Sequence, residues 1–466
     1  MKEAQVLQFR ILGLMLLFAV APFLLARYSK VLELPGLTIT PGPDLLPSRP
    51  GVLFQIRNTR LCSWIWSNVA PAGDADGDGT PDLAVIRMNP SRNGRVKVCL
   101  VSGQSGELLR EQGTSWRDGT AIGIRSQPPV DGGLAPRAMH LAYTWSHMTS
   151  RRGAYAGSVQ EIVSYQYDQP EPWQREMVSS RVSNTAGFLD GLPRVASELE
   201  GRADSWYMRE SQHGDEHSVE VISRIKQTSI QSLALTTDTQ AKGRLATGYD
   251  FDDDRIADVV IGLGGELKLA SSATRQLLPL HFERNADPEG VTTIPLMVRD
   301  LSGDGVPDLV AGHPEMDAGR GQVRVFSGAE GRLIRTIQGK TPAGRFGSSL
   351  VELGDLDSDG MSDFAVGAPG PQGEGTRNRD RIPGLDDTLG RMRTFFEGGA
   401  REGVEWTAER TGTQLGQSLT SVGDLDGDGI SEIAIEEPWE TRAQFLRGNW
   451  RGILWIVSGA SLKPGP

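Results

Sequence analysis

The sequence predicts an all-β fold, a seven-bladed β-propeller preceded by an N-terminal hydrophobic helix. Three observations carry this reading. An acidic turn followed at once by a short apolar run occurs five times. The copies are spaced by multiples of a repeat of about 59 residues, the size of a four-stranded propeller blade. The chain of 466 residues is also punctuated by 57 Gly and 27 Pro, as turn-rich all-β chains are.

The N-terminus stands apart from the repeats. Ile11 to Ala26 carries no charge, with Lys2 and Arg10 before it and Arg27 and Lys30 after it. A basic segment followed by an apolar core marks an exported chain. Two readings stand for residues 1–30, an uncleaved signal-anchor and a removed signal peptide. Ala19-Val20-Ala21 has the small residues of a cleavage site, but Pro22 follows directly. Residues 31–50 hold five prolines and read as a Pro-rich linker. Residues 51–466 are the expected propeller. The expected location is membrane-anchored facing outside the cytoplasm, or secreted, with the N-terminal helix as the membrane contact. A net charge of −11 weighs against nucleic acid as a partner.

The acidic turns place oxygen-bearing side chains at positions 1, 3, 5 and 9. The first copy has Asp74, Asp76, Asp78 and Asp82, and the second has Asp250, Asp252, Asp254 and Asp258. The third has Asp300, Ser302, Asp304 and Asp308, and the fourth Asp355, Asp357, Asp359 and Asp363. The last has Asp424, Asp426, Asp428 and Glu432. Alternating carboxylates curled around one point suit Ca²⁺, a hard cation that takes six to eight oxygens. Position 7 adds a backbone carbonyl, from Thr80, Ile256, Val306, Met361 or Ile430. Glycine at position 6 allows the sharp turn in four copies. Arg255 stands there in the second copy, which should bind most weakly, and Ser302 weakens the third.

An EF-hand loop opens in the same way, but it needs a Glu at position 12 and a helix after it. Position 12 here is Val85, Ile261, Ala311, Val366 or Ile435. The segments that follow are short and apolar, as buried strands are. The gap between Asp74 and Asp250 is about three repeats, so two copies without acids are expected, at Val130 and at Leu189. Third and fourth strands are expected in Gly94–Gly113 and Gly321–Gly339, and third strands at Gly390–Gly399 and Gly452–Leu462. Little chain remains after the last, so Val52–Asn58 is expected to supply the missing strand and close the ring.

The stretch "FGSSLVELGDLDSDGMSDFAVGAPG" resembles the FG-GAP repeat family, the β-propeller of integrin α-subunits and its bacterial relatives. Phe346-Gly347 and Gly367-Ala368-Pro369 match the tripeptides that give the family its name. The next repeat has Leu415-Gly416 and Glu436-Glu437-Pro438 in their place. The resemblance runs from about Gly51 to the C-terminus. It implies Ca²⁺ held by the acidic loops as a structural ion, on the face away from the main ligand surface.

Catalytic chemistry is not evident. His213 to His217, "HGDEH", has the outline of a zinc-peptidase motif, but that motif needs a helix, and Gly214 and the neighbouring residues favour a loop leading into a strand. Five regular acid sets are unlike the single carboxylate pair of a glycosidase. Trp64 and Trp66 read as packing residues. Cys62 and Cys99 both fall in the first blade, and a disulfide in an oxidising compartment and two free thiols both stand as readings. The expected function is a protein- or glycan-interaction or adhesion module at the cell surface, not an enzyme. The alternative is a polysaccharide-acting extracytoplasmic enzyme on a propeller scaffold. The polar insertion 371–389 is expected to touch the partner.

Overall fold

The computed structural model describes residues 49–59, 69–88, 96–113, 244–282, 291–371, 389–409, 413–439 and 451–463. It also describes residues 39–40 and the backbone of the strands between 119 and 234. The chain divides into Met1–Thr38 and Ile39–Pro466. The first unit, with the apolar run Ile11–Ala26, lies outside the described residues. Among those described, no helix is long and apolar enough to cross a membrane.

The second unit is a succession of antiparallel sheets. The first sheet holds strands Val69–Gly73, Asp82–Met88, Val96–Val101 and Leu108–Gly113. The second runs from Gly119–Ser126 to Gln174–Val178, and the third from Arg194–Leu199 to Leu233–Ala234. The fourth has three described strands, Arg244–Thr247, Val259–Leu263 and Glu266–Ala270. The fifth comprises Ile294–Val298, Asp308–His313, Gln322–Phe326 and Leu333–Gln338. The sixth comprises Ser349–Gly354, Asp363–Ala368, Arg391–Phe396 and Arg401–Thr407. The last comprises Leu419–Gly423, Glu432–Trp439 and Arg451–Val457 with strands from the N-terminal side.

Burial explains the sequence pattern. The second and third strands of the fifth sheet are buried at every residue, because neighbouring sheets cover both faces. Such strands read as continuous apolar runs rather than alternating ones. The fourth strand, Leu333–Gln338, is largely exposed and more polar. Apolar clusters fill the space between sheets: Leu309, Phe326 and Met297 between the fourth and fifth, Phe346, Phe364 and Phe395 between the fifth and sixth. First strands lie side by side in succession. Val69–Gly73 lies beside Gly119–Ser126, and Arg194–Leu199 beside Arg244–Thr247, which lies beside Ile294–Val298. That strand is followed by Ser349–Gly354 and Leu419–Gly423, and Leu419–Gly423 returns to Val69–Gly73. This arrangement is consistent with a β-propeller.

The last sheet takes its outer strand from the other end of the chain. Val52–Thr59 pairs antiparallel with Arg451–Val457, as expected from the lack of chain beyond Leu462. Ile39–Thr40 pairs in turn with Gln55–Ile56, so part of the Pro-rich segment joins the sheet. Arg49 adds a clasp. Its guanidinium lies 5.2 Å from the ring centre of Trp406 and 5.1 Å from that of Trp455. Its Nε is 3.6 Å from a carboxylate oxygen of Glu409.

The other sequence expectations fare unevenly. The strands after the acidic turns, and the third and fourth strands expected near them, form where expected. The Val130 copy falls between the strands Gly119–Ser126 and Met139–Met148, the place of an acidic loop. The Leu189 copy does not. Asp190-Gly191 precedes the first strand of its sheet, and that strand meets the second in a tight hairpin from Leu199 to Arg202. Two linking residues are too few to curl around an ion. "HGDEH" is also a tight hairpin, with His213 opposite Glu216, and not a helix. Cys99 is buried. Cys62, Trp64, Trp66 and residues 372–388 lie outside the described residues.

The family tripeptides have a steric reason. The residue four after the ninth-position acid is Gly262, Gly312 or Gly367 in the three middle sheets. A Cβ on Gly312 would stand 2.2 Å from the carbonyl oxygen of Gly347, and one on Gly367 2.1 Å from that of Gly416. Backbone of the next repeat therefore lies directly on these glycines. Gly347 turns there with φ of +91° and donates its N–H to Gly367 O at 3.0 Å. Gly367→Ala should force the sixth and seventh sheets apart and cost about 1–3 kcal/mol, read as a lowered midpoint in urea. A wild-type midpoint would show that this junction yields freely.

Candidate metal centres

All five acidic loops share one hydrogen-bond scheme. The first acid closes the turn by accepting backbone N–H groups. Asp74 accepts from Gly77 at 2.7 Å and Gly79 at 2.9 Å, and Asp300 from Gly303 at 2.7 Å and Gly305 at 2.8 Å. Asp424 accepts from Gly427 at 2.7 Å and Gly429 at 2.9 Å, and Asp355 from Asp359 and Gly360, both at 3.0 Å. Asp250 accepts from Arg255 at 2.6 Å. The fifth-position acids Asp78, Asp254, Asp304, Asp359 and Asp428 each accept the N–H of position 7, between 2.7 and 2.9 Å. Two residues per loop are left-handed. Position 6 has φ of +90° at Gly79, +83° at Gly305, +89° at Gly360 and +84° at Gly429, and Arg255 is held at +67°. Position 4, which the sequence reading passed over, is Gly77, Asp253, Gly303, Ser358 or Gly427, again with positive φ.

The ninth-position acid is a buried strut. Asp82, Asp258, Asp308, Asp363 and Glu432 are all fully buried. One oxygen accepts the N–H of position 2: Ala75 at 2.8 Å, Phe251 at 2.8 Å, Leu301 at 2.7 Å, Leu356 at 2.8 Å, and Leu425. The other reaches the turn after the third strand. Asp82 takes Gly103 N–H at 3.1 Å, Asp258 takes Ser272 at 3.2 Å, Asp308 takes Gly328 at 2.9 Å and Glu432 takes Gly459 at 3.4 Å. In the sixth sheet Glu397-Gly398 replaces the recurrent Ser-Gly turn, and Asp363 Oδ1 has no hydrogen-bond partner. Burial pushes the Asp258, Asp363 and Glu432 carboxyls up to about 7, and backbone N–H groups offset it only in part. Asp82 and Asp308 are raised for the same reason.

The side chains converge. Asp424, Asp426, Asp428 and Glu432 each offer an oxygen, and these atoms lie within 4.8 Å of one another. The same holds for Asp74, Asp76 and Asp78, for Asp250, Asp252 and Asp254, and for Asp355, Asp357 and Asp359. Ligand oxygens sit about 2.4 Å from a Ca²⁺ ion, so no two around one ion can be more than about 4.8 Å apart. These sets meet that limit. Asp254 Oδ2 and Asp357 Oδ1 are buried without a hydrogen-bond partner, as metal-facing oxygens would be. Ser302 breaks the third loop, which brings together no comparable set among the described residues.

Neighbouring loops are stitched together. Glu352, ahead of the fourth loop, accepts from the Tyr249 hydroxyl at 2.7 and 2.9 Å, the Arg299 N–H at 2.9 Å and the Ser362 hydroxyl at 3.0 Å. Burial first, and then the Glu352 charge, raise the Tyr249 hydroxyl far above its usual value. Ser362 N–H donates to Asp300 O at 2.7 Å. Arg401 introduces a cation of the protein's own. It pairs with Asp357, holds Glu397 at 2.8 Å and stacks 5.0 Å from the Phe396 ring centre. The Asp355 loop, which has all four acids and the turn glycine, thus has one ligand already engaged, and the Asp424 loop keeps four.

Two outcomes follow from this geometry. A carboxyl raised in the folded state stabilises the fold while protonated. That contribution is complete below pH 4 and lost as pH rises through about 7. Chelator-treated protein should therefore melt at a higher temperature at pH 5 than at pH 8, the reverse of acid denaturation. Arg255→Gly should relieve a left-handed non-glycine residue and stabilise by about 1 kcal/mol, seen as a raised urea midpoint; Cβ strain would be absent from this loop if the midpoint fell.

No family model matches the chain. Similar proteins are integrin α-chains: integrin alpha-5 of Xenopus laevis is 32% identical over 172 residues, 36% of this chain and 15% of that protein. Integrin alpha-PS2 of Drosophila melanogaster is 34% identical over 177 residues, 36% of this chain and 12% of its own length. Integrin alpha-V of Gallus gallus is 28% identical over 163 residues, covering 35% and 15%. The chain thus spans about one seventh of the length of the relatives it matches. Over about a third of its own residues the chain is thus similar to integrin α-chains, which supports an integrin α-like FG-GAP repeat family.

Proposed function

We propose that this chain is a Ca²⁺-binding, extracytoplasmic, seven-bladed FG-GAP propeller that works as an adhesion or interaction module for a protein partner. The convergence of the Asp424, Asp426, Asp428 and Glu432 oxygens carries the metal part of the reading. Hard carboxylate oxygens in a flexible loop suit Ca²⁺ better than Mg²⁺, which demands a stricter octahedron. The third-position side chain and the carbonyls of Thr80, Ile256, Val306, Met361 and Ile430 complete the ligand sets. The Asp250 and Asp300 loops are the weaker ones. Seven sheets, with first strands in succession and a last sheet closed by Val52–Thr59, support seven blades.

The integrin α relatives support adhesion rather than catalysis, and a protein partner rather than a glycan. Residues 1–30 are the export segment, as anchor or signal peptide, and 51–466 the propeller. The polysaccharide-enzyme alternative has no observation in its favour. Ca²⁺ binding only the folded ring would stabilise it by mass action. Chelator should lower the melting temperature at pH 7.5, and Asp428→Ala should lower it more than Asp254→Ala in Ca²⁺. A melting curve indifferent to chelator would overturn the metal reading. Capture of a cell-surface protein by the Ca²⁺-loaded chain, lost on chelation, tests the adhesion part.

A further inference from the structure

A basic pocket lies at the sheet ends opposite the acidic loops. The acidic loops join first strands to second strands. The pocket is built from the opposite connections: Arg320 before the third strand of the fifth sheet, Lys340 on the link to the sixth, and Arg391 and Arg393 on the sixth sheet's third strand. Phe346, Val366 and Ala368 give it an apolar floor. Its cavity holds about 20 Å³ and is open to solvent.

The cations are fixed by acids of their own. Arg320 Nε lies 3.2 Å from Asp317, Lys340 Nζ 2.5 Å from Glu402 and Arg391 Nη1 2.9 Å from Glu405. Arg393 donates from Nε to Glu405 at 2.9 Å and is 6% exposed. Arg391 Nε and Arg393 Nη1 have no hydrogen-bond partner. Four basic groups against three acidic ones leave a single positive charge. One net charge matches a carboxylate better than a phosphate dianion or a polysulfated chain. At about 20 Å³ the cavity admits a single small polar group, so a carboxylate head enters and the rest of its side chain stays at the mouth.

We propose that this pocket receives an Asp or Glu side chain of an acidic segment of a protein partner, which deepens and rests on the interaction-module reading. Arg320 and Lys340, 42% and 59% exposed, are the accessible contacts, and Arg393 supplies buried positive charge beneath them.

The test titrates fluorescein-labelled tetraglutamate, tetraglutamine and a heparin hexasaccharide against the full-length Ca²⁺-loaded protein in detergent. The same series is run on Arg320→Glu/Lys340→Glu and on the milder Arg320→Gln, each first checked for a wild-type melting temperature. Tetraglutamate should bind at least about tenfold tighter than tetraglutamine, the worth of one charge-assisted contact. It should lose at least about tenfold in the double variant and less in Arg320→Gln. Equal binding of the two peptides, or unchanged tetraglutamate binding in both variants, overturns the proposal. Preference for heparin overturns it in favour of a sulfated glycan. Surface-protein capture is measured in parallel with the wild-type chain. Its absence alongside intact, pocket-dependent peptide binding would count against the interaction reading and leave the pocket standing.

Discussion

Burial of the ninth-position carboxylate is the constraint on which the rest of the described structure depends. A carboxylate with no exposure to water is costly unless its lone pairs are filled. Four of the five sheets with acidic loops fill them from their own backbone, with one N–H from the loop behind and one from the turn after the third strand. That pair of bonds fixes the loop to the far side of its own sheet. It also brings the position 2 side chain inward, and Leu301, Leu356 and Leu425 are all buried. The loop curls back over the strut, and the first, third and fifth acids follow. Their mutual repulsion, together with the desolvated strut, makes the end of each sheet a place where positive charge is favourable.

The protein meets this demand unevenly. In the sixth sheet the turn after the third strand begins Glu397-Gly398, and Asp363 loses its second N–H. The same sheet sends Arg401 to Asp357. A fixed guanidinium there supplies part of the positive charge that these acids favour, and engages one oxygen of Asp357. Glu352 then ties this loop to Tyr249 and Arg299, which lead into the two preceding loops. Charge compensation in one loop is therefore mechanically joined to the geometry of its neighbours, through short hydrogen bonds and not only through the long reach of Coulomb forces.

Much of this was legible in the sequence, for reasons of chemistry. Asp and Gly at fixed positions report a turn that needs both carboxylate acceptors and left-handed backbone, so loops and following strands fell where expected. The apolar runs after the acids are unbroken because both faces are covered. The Phe-Gly and Gly-Ala-Pro tripeptides report one close contact between sheets. What escaped was relational. Nothing local to Asp82 says that its partner is Gly103, although the recurrence of Ser-Gly after the third strand carried that signal. Position 4 was missed because Gly, Asp and Ser share its positive φ, and no single residue type marks it. Asp190-Gly191 misled because an Asp-Gly pair is a common turn, whereas the loop is defined by the strut eight residues on. Arg401 and Arg49 act across strands or from the far end of the domain, beyond any spacing rule.

The two ends of the sheets are put to different uses by one arrangement of strands. At one end, the acids accept the N–H groups of their own loops and turn other oxygens toward one another. The connections at the other end carry no such duty. Gly312 and Gly367 let neighbouring backbones touch there, and the links between sheets pass directly over those contacts. Side chains projecting from these links, Arg320 and Lys340 among them, stand on a base fixed by close backbone packing rather than on a mobile loop. A site there gains preorganisation from the glycine junctions beneath it. The rigidity of those junctions depends in turn on sheets whose far ends are held by the buried carboxylates. The acidic loops therefore act at a distance, by fixing the frame on which the opposite face is built.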